Sequence, residues 1–403
     1  MKRDRAHSLQ RTAYTIIALL IAAIVIAVQP PVSSSKSKDN ILRVCVLKDS
    51  KSLTLTIKGS YKIFTLNTNE LIDKGKNLKM ASVLPLESGL SISGKPLKIY
   101  GIKIMPKRDT SVSIGKRTFR GNIDIIRTKN KRLLVINQVD LEDYLKGVLY
   151  HEVSHWWPIE TLKAQAIAAR AYALYQKSVR RESDYDLTSD IYSQVYGGRG
   201  SEKIRTNRAV DLTRGKVLTY RDKIFPTYYH ATCGGRTEDA SNLWDLNLPP
   251  LKGVRCSFCR FSPHYNWEYE ILLSQLEREL NLAGYDLKGL IDVKIKKRRP
   301  SKRVKDLVFI SDGKEMIIPA KDFRLAIGPN RVRSTNFALK VLPLPRVKRG
   351  KNDRAFFKGY GWGHGAGMCQ WGAFFLGLKR YKAEGILRYY YPGTRISNIK
   401  IMQ

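Results

Sequence analysis

The chain has 403 residues, with 72 lysines and arginines against 35 acidic residues and a formal net charge of +37. A hydrophobic content of 43% excludes disorder of the whole chain and leaves room for two or three domains. The charge excess favours polyanions: nucleic acid, anionic lipid or an acidic wall polymer.

The N-terminus narrows that choice. Lys2, Arg3, Arg5 and Arg11 precede an uncharged, almost wholly apolar run from Thr12 to Val28, closed by Gln29, Pro30, Pro31 and a serine run. Such a run reaches about 26 Å as a helix, just enough to span a bilayer. Positive charge ahead of it keeps the start of the chain in the cytoplasm. Residues 1–32 are therefore expected to form a cytoplasmic tip and a single-pass transmembrane helix, with 33–40 (SSSKSKDN) as a polar linker. A cleaved signal peptide is the rival reading, but no small-x-small cleavage site follows the run. Either way the body is expected outside the cytoplasm and nucleic acid is not its expected partner; an uncleaved anchor tethers it to the cell membrane.

From Ile41 to about Ile104 short β-type runs alternate with turn signals, Leu42–Val46 and Leu53–Ile57 among them, which predicts a small β-rich region over 41–117. Phe119–Ile126 and Leu133–Val139 read as a further strand pair turning at Lys129–Lys131. Asp140 then stands as an N-cap before Leu141, Tyr144, Leu145 and Val148 at helical spacing. Pro158 interrupts this pattern, and an alanine-rich helix resumes from Glu160 to Gln176. Arg170 sits inside that alanine run, where a buried arginine needs a partner. Residues 268–282 predict one amphipathic helix, and 290–342 a β-rich segment in which Lys294–Lys305 reads as a solvated edge or loop. Gly359–Gly372 is glycine-rich and leads into a helix from about Ala373.

The sharpest short motif is His151-Glu152-Val153-Ser154-His155, an H-E-x-x-H that suits a zinc protease if both histidines share a helix face. Pro158 counts against it, because the helix that should hold both ligands ends almost at once. Five cysteines (Cys45, Cys233, Cys256, Cys259, Cys369) leave at least one unpaired within a monomer. Cys256-x2-Cys259, with Cys233 before it and His264 after it, has the composition of a structural zinc site. A Cys256–Cys259 or Cys233–Cys256 disulfide is the competing reading for an exported protein.

The wider segment around Glu152 tells a different story. Asp140-Leu141-Glu142-Asp143-Tyr144-Leu145-Lys146-Gly147-Val148 leads into the glutamate. Trp157-Pro158-Ile159-Glu160-Thr161-Leu162-Lys163-Ala164-Gln165-Ala166 through Arg170-Ala171-Tyr172 follows it. Ser193-Gln194-Val195-Tyr196-Gly197-Gly198, Tyr229-His230-Ala231-Thr232-Cys233-Gly234-Gly235 and Gly361-Trp362-Gly363-His364-Gly365-Ala366-Gly367-Met368-Cys369-Gln370 come later. These four blocks, in this order across roughly 118–400, resemble the SpoIID/LytB (stage II sporulation protein D) family.

The resemblance implies an α+β fold: a mixed, β-rich core with a few helices around a glycan-binding groove, in a catalytic domain over 118–403. It implies a peptidoglycan lytic transglycosylase with Glu152 as the single acid/base and with Arg170, Gln194, Tyr196, His230, His364 and Gln370 in the groove. No cofactor is expected for catalysis. A structural zinc is expected on Cys233, Cys256, Cys259 and His264, since His230 occupies a family position that exists even without the cysteines. Val153 departs from the family's usual methionine. Residues 175–196 hold neither histidine nor cysteine, so the metal site of some members is not carried over. The family's second name implies an alternative, a non-catalytic glycan binder that activates a separate cell-wall amidase.

The topology is testable. Protease added outside protoplasts should digest the chain beyond residue 40, and the mature chain should keep its N-terminal residues. A mature chain beginning near Ser33 would replace the anchor with a cleaved signal.

Overall fold

Period-two alternation builds the first sheet. Strand β2 (Leu53–Thr65) turns Leu53, Leu55, Ile57, Tyr61 and Ile63 inward and leaves the residues between them to water. The computed structural model describes residues 40–311, 313–342 and 353–399. The transmembrane helix expected over 12–28 lies outside the described residues; among these, no helix is long and apolar enough to cross a membrane.

The other strands of this sheet are β1 (Ile41–Ser50), β3 (Leu71–Leu86), β4 (Gly89–Ile92), β5 (Lys95–Leu97), β6 (Gly101–Pro106), β7 (Ser111–Ile114), β8 (Arg117–Phe119), β9 (Asn122–Arg127), β10 (Leu133–Asp140) and β11 (Leu187–Thr188). Their order is β11-β1-β10-β9-β6-β2-β3-β4-β5, with β7 on β2 and β8 on β7. The division expected at 117/118 falls inside β8, and β9 pairs with β6 through Ile102 and Ile125. Leu42, Ile57, Ile102, Leu145 and Ala168 belong to one core, so the N-terminal strands and the helices below fold together.

Helix α1 (Leu141–Glu152) begins where Asp140 accepts a 3.0 Å bond from the Glu142 amide. It stops at Glu152 because Val153 is extended, at φ −143°. Pro158 then opens α2 (Ile159–Val179), whose alanines 164, 166, 168, 169, 171 and 173 are fully buried and let the helix pack closely. Among them Arg170 is also fully buried. It forks onto Glu142, with Nε–Oε1 at 3.0 Å and Nη2–Oε2 at 2.7 Å, and donates to the Lys216 carbonyl at 2.9 Å. The groove assignment of Arg170 is thereby corrected: its guanidinium locks α2 to α1 and has no face left for a ligand.

A second core, from Trp267 to Phe357, gathers the C-terminal strands. Residues 268–282 are not one helix. Asn266–Leu272 is a strand paired with Arg354–Tyr360, and only Leu273–Leu282 is helical. Trp267, Tyr269 and Ile271 carry period-two spacing, and a partner more than eighty residues away decides between the periods. The basic run Lys294–Lys305, expected to be a solvated edge or loop, begins inside the strand Leu290–Arg298, but its Arg303 is 1% exposed.

Breaking the inter-helix pair leaves one buried charge alone. Arg170→Ala or Glu142→Ala should each cost about 3–5 kcal/mol in denaturant unfolding. The double change Arg170→Met with Glu142→Leu should recover much of that loss.

Candidate active site

The last turn of α1 delivers Glu152 half-buried into the molecule, where the Val195 amide donates to its Oε1 at 3.3 Å. Tyr229 and Gln370 stand beside the carboxyl and favour its charged form. Desolvation outweighs them and the Val195 amide, and raises its pKa from 4.5 to about 7. The Tyr229 hydroxyl is itself held. Gln194, buried, donates from Nε2 to the Tyr229 hydroxyl at 2.7 Å and accepts from Tyr144 at 3.1 Å. The two-residue strands Tyr229–His230 and Met368–Cys369 pair in parallel, which brings Tyr229 and Gln370 to the same carboxyl from positions far apart in sequence.

Gly361, Gly363, Gly365 and Gly367 all take positive φ, as tight turns require. A side chain at Gly363 would sit 2.8 Å from the His230 Cβ. The loop holds His364 in one tautomer: Nδ1 accepts from the Ala366 amide at 3.1 Å, so Nε2 carries the proton and donates to the Tyr229 carbonyl at 2.9 Å. Burial, and Arg324 and Arg303 nearby, hold its pKa down at about 3, so it is neutral near pH 7.

His364 and Tyr229 line a cavity of about 410 Å³ together with Tyr172, Tyr192, Tyr228 and Trp244; Arg180, Lys321 and Arg324 add positive charge to its wall. Tyr228 and Trp244 stack with centroids 4.1 Å apart. Aromatic faces with cations beside them suit sugar rings carrying acidic groups. Glu152 is not itself among the wall residues; Tyr229 is both wall and partner to it.

Of the residues expected in the groove, His364 lines the cavity, and Gln194 and Gln370 belong to the Glu152 network. Tyr196 is corrected: it is buried against Phe119 and Tyr144, and its hydroxyl donates to Asn137 at 2.9 Å. His230 is buried behind the loop, its Nδ1 3.0 Å from the Ala366 carbonyl. Trp157 is core, packed on Trp371 and Phe374, whereas Trp156 is 74% exposed. Sequence reasoning missed Tyr228, Tyr229 and Trp244; the doublet Tyr228-Tyr229 directly before His230 was the available signal.

The two metal readings change as well. His151 lies 2.6 Å from the Ser201 hydroxyl and His155 packs on Tyr150 and Trp156, beyond the end of α1, so the two histidines do not share a helix face. His264 is not the fourth partner of the cysteines: its ring packs edge-on to Trp362 at 4.8 Å. Cys369 takes that place, because the Tyr229–His230 and Met368–Cys369 pairing carries it to Cys233.

A raised carboxyl pKa works against folding in its charged form. Between pH 4.5 and about 7 the native state holds a proton that the unfolded chain has lost, so this residue's contribution falls as pH rises through that window. Glu152→Gln should therefore raise the denaturation midpoint relative to wild type more at pH 8 than at pH 5.

Comparison with known proteins places the sequence among relatives. A family model described as Stage II sporulation protein matches residues 129–220, and one described as Domain of unknown function (DUF8618) matches 259–367, the region of the second core. An uncharacterized protein of Brachyspira hyodysenteriae is 32% identical over 365 residues, 89% of this chain and 94% of its own length. Stage II sporulation protein D of Bacillus subtilis is 29% identical over 292 residues, 68% of this chain and 79% of its own. The amidase enhancer of Bacillus subtilis is 25% identical over 302 residues, 63% of this chain and 40% of its own. The chain belongs to the SpoIID/LytB (stage II sporulation protein D) family.

Proposed function

We propose that this chain is an exported, membrane-tethered lytic transglycosylase that cleaves peptidoglycan glycan strands, with stem-peptide-free strands as its substrate. The observation that carries the reading is Glu152: a carboxyl raised to about 7 by burial, held by the Val195 amide beside an aromatic, cationic cavity. Near neutral pH such a group is protonated in about half the molecules, so it can give a proton and take one back.

In the proposed reaction Glu152 protonates the glycosidic oxygen and the C1–O bond breaks, leaving positive charge shared between C1 and the ring oxygen. The C6 hydroxyl of the same muramyl residue then bonds to C1, and its proton passes to the Glu152 carboxylate. The product is a 1,6-anhydro end and the glutamate is again protonated. A water-using glycosidase places a second carboxylate across the bond; an internal hydroxyl makes one carboxyl sufficient.

A second reading has its own support. Glu152 stands behind Tyr229, outside the cavity wall, and one relative is named an amidase enhancer. On that reading the cavity binds glycan and a separate cell-wall amidase does the cutting.

Digestion of peptide-free glycan strands separates the two. Mass analysis should find 1,6-anhydromuramyl ends with wild type and none with Glu152→Gln, while His151→Ala retains most activity. Strands bound without new ends would support the enhancer reading instead.

Three further outcomes follow from the geometry. Because the acid form starts the reaction, kcat/KM should fall as pH rises through about 7. Tyr229 and Gln370 hold the carboxyl pKa down, so Gln370→Leu should move that alkaline limb to higher pH. Trp244→Ala removes a stacking face worth about 1 kcal/mol and should raise KM several-fold with a smaller change in kcat.

A further inference from the structure

Four of the five cysteines converge at a point that the reaction above does not use. The Sγ atoms of Cys233, Cys256, Cys259 and Cys369 all lie within 4.8 Å of one another, and all four residues are buried. The Cys233 and Cys259 sulfurs are 3.4 Å apart, a contact and not a covalent bond. Sulfurs about 2.3 Å from a tetrahedral zinc stand about 3.8 Å from each other, so the cluster has nearly the right size. Cys259 lies within the 3₁₀ turn Phe258–Phe261 and Cys256 just before it, a tight local turn that lets a C-x2-C pair aim both sulfurs at one ion. We propose that these four cysteines hold one zinc ion in a closed tetrathiolate site, and that this site fixes the glycine-rich loop against Glu152.

Two observations besides the sulfur positions support it. The amides of Cys233 and Gly372 both point at the Cys369 sulfur, at 3.3 and 3.4 Å, and N–H groups aimed at sulfur favour a thiolate. The second is Arg303. It is 1% exposed, donates from Nη2 to the Cys233 carbonyl at 2.8 Å, and its Nε and Nη1 find no hydrogen-bond partner among the described residues. A buried guanidinium needs opposite charge. Glu238 supplies part of it, but its oxygens already accept from the Asp239 amide, Asn242 and Ser301. Zinc with four thiolates carries two net negative charges and would supply the rest.

The link to the active site is direct. Cys369 immediately precedes Gln370, which stands beside Glu152, and caps the helix Gln370–Leu378. Gly365, next to His364, lies flat on Arg303: a Cβ there would meet the guanidinium at 2.6 Å. The site would leave no open coordination position, so its effect is on loop geometry and not on the reaction itself.

Full-length protein, extracted and purified under reducing conditions, should carry about one zinc per chain by elemental analysis. Cys256→Ser and Cys369→Ser should lose it, whereas His264→Ala and Cys45→Ser should keep it. Should the cysteine variants fail to fold, cobalt exchange into wild type decides the matter: a tetrathiolate cobalt site gives intense visible bands and sulfur-to-metal charge transfer. The proposal is overturned by zinc well under one per chain with a disulfide mapped among the four cysteines, by iron in place of zinc, or by loss of zinc in His264→Ala. Because the readout is bound metal, the result is independent of whether the protein cuts glycan.

Discussion

Glu152 stands where α1 must end, with its carboxyl taken far enough from water that burial outweighs the polar groups of Val195, Tyr229 and Gln370 beside it. Everything nearby is arranged to hold that balance. More donors would pull the carboxyl into its ordinary range, and fewer would leave it without orientation. Val195, Tyr229 and Gln370 come from three separate stretches of chain, and the last two are braced by a further layer. Gln194 fixes the Tyr229 hydroxyl, His364 fixes its carbonyl, and Cys369 precedes Gln370. The proposed acid is thus a property of the whole C-terminal fold.

That layer rests in turn on two internal charges. Arg170 ties α2 to α1 through Glu142, which sets where α1 can stop. Arg303 lies under the glycine-rich loop, beside the cysteine cluster. Both are arginines with no exposed face, in a chain whose other cations are mostly at the surface and give it its strong positive field. Charge here does two kinds of work: outside it favours acidic polymers, and inside it fixes distances between elements.

The parts of this arrangement that are local in sequence were legible without a structure. Asp140 as a cap, the break at Pro158, the alanine face of α2 and the positive-φ glycines each follow from a residue and its neighbours. Glu152 was legible through the order of motif blocks. What could not be read was set by distant pairing. Asn266–Leu272 becomes a strand because Arg354–Tyr360 lies beside it. Tyr196 and Arg170 look polar and available in a motif, and only the packed core shows them enclosed. His264 is close to Cys259 in sequence and Cys369 is far from it, and only a two-residue parallel pairing brings Cys369 to Cys233.

The account stands or falls on the protonation state of one carboxyl near neutral pH. Infrared difference spectra of wild type and Glu152→Gln isolate its C=O stretch, which only the protonated acid shows. A band present in wild type, missing in the variant and fading through about pH 7 is the predicted result. A band that has already vanished above pH 4.5, the ordinary range for a glutamate, would contradict it.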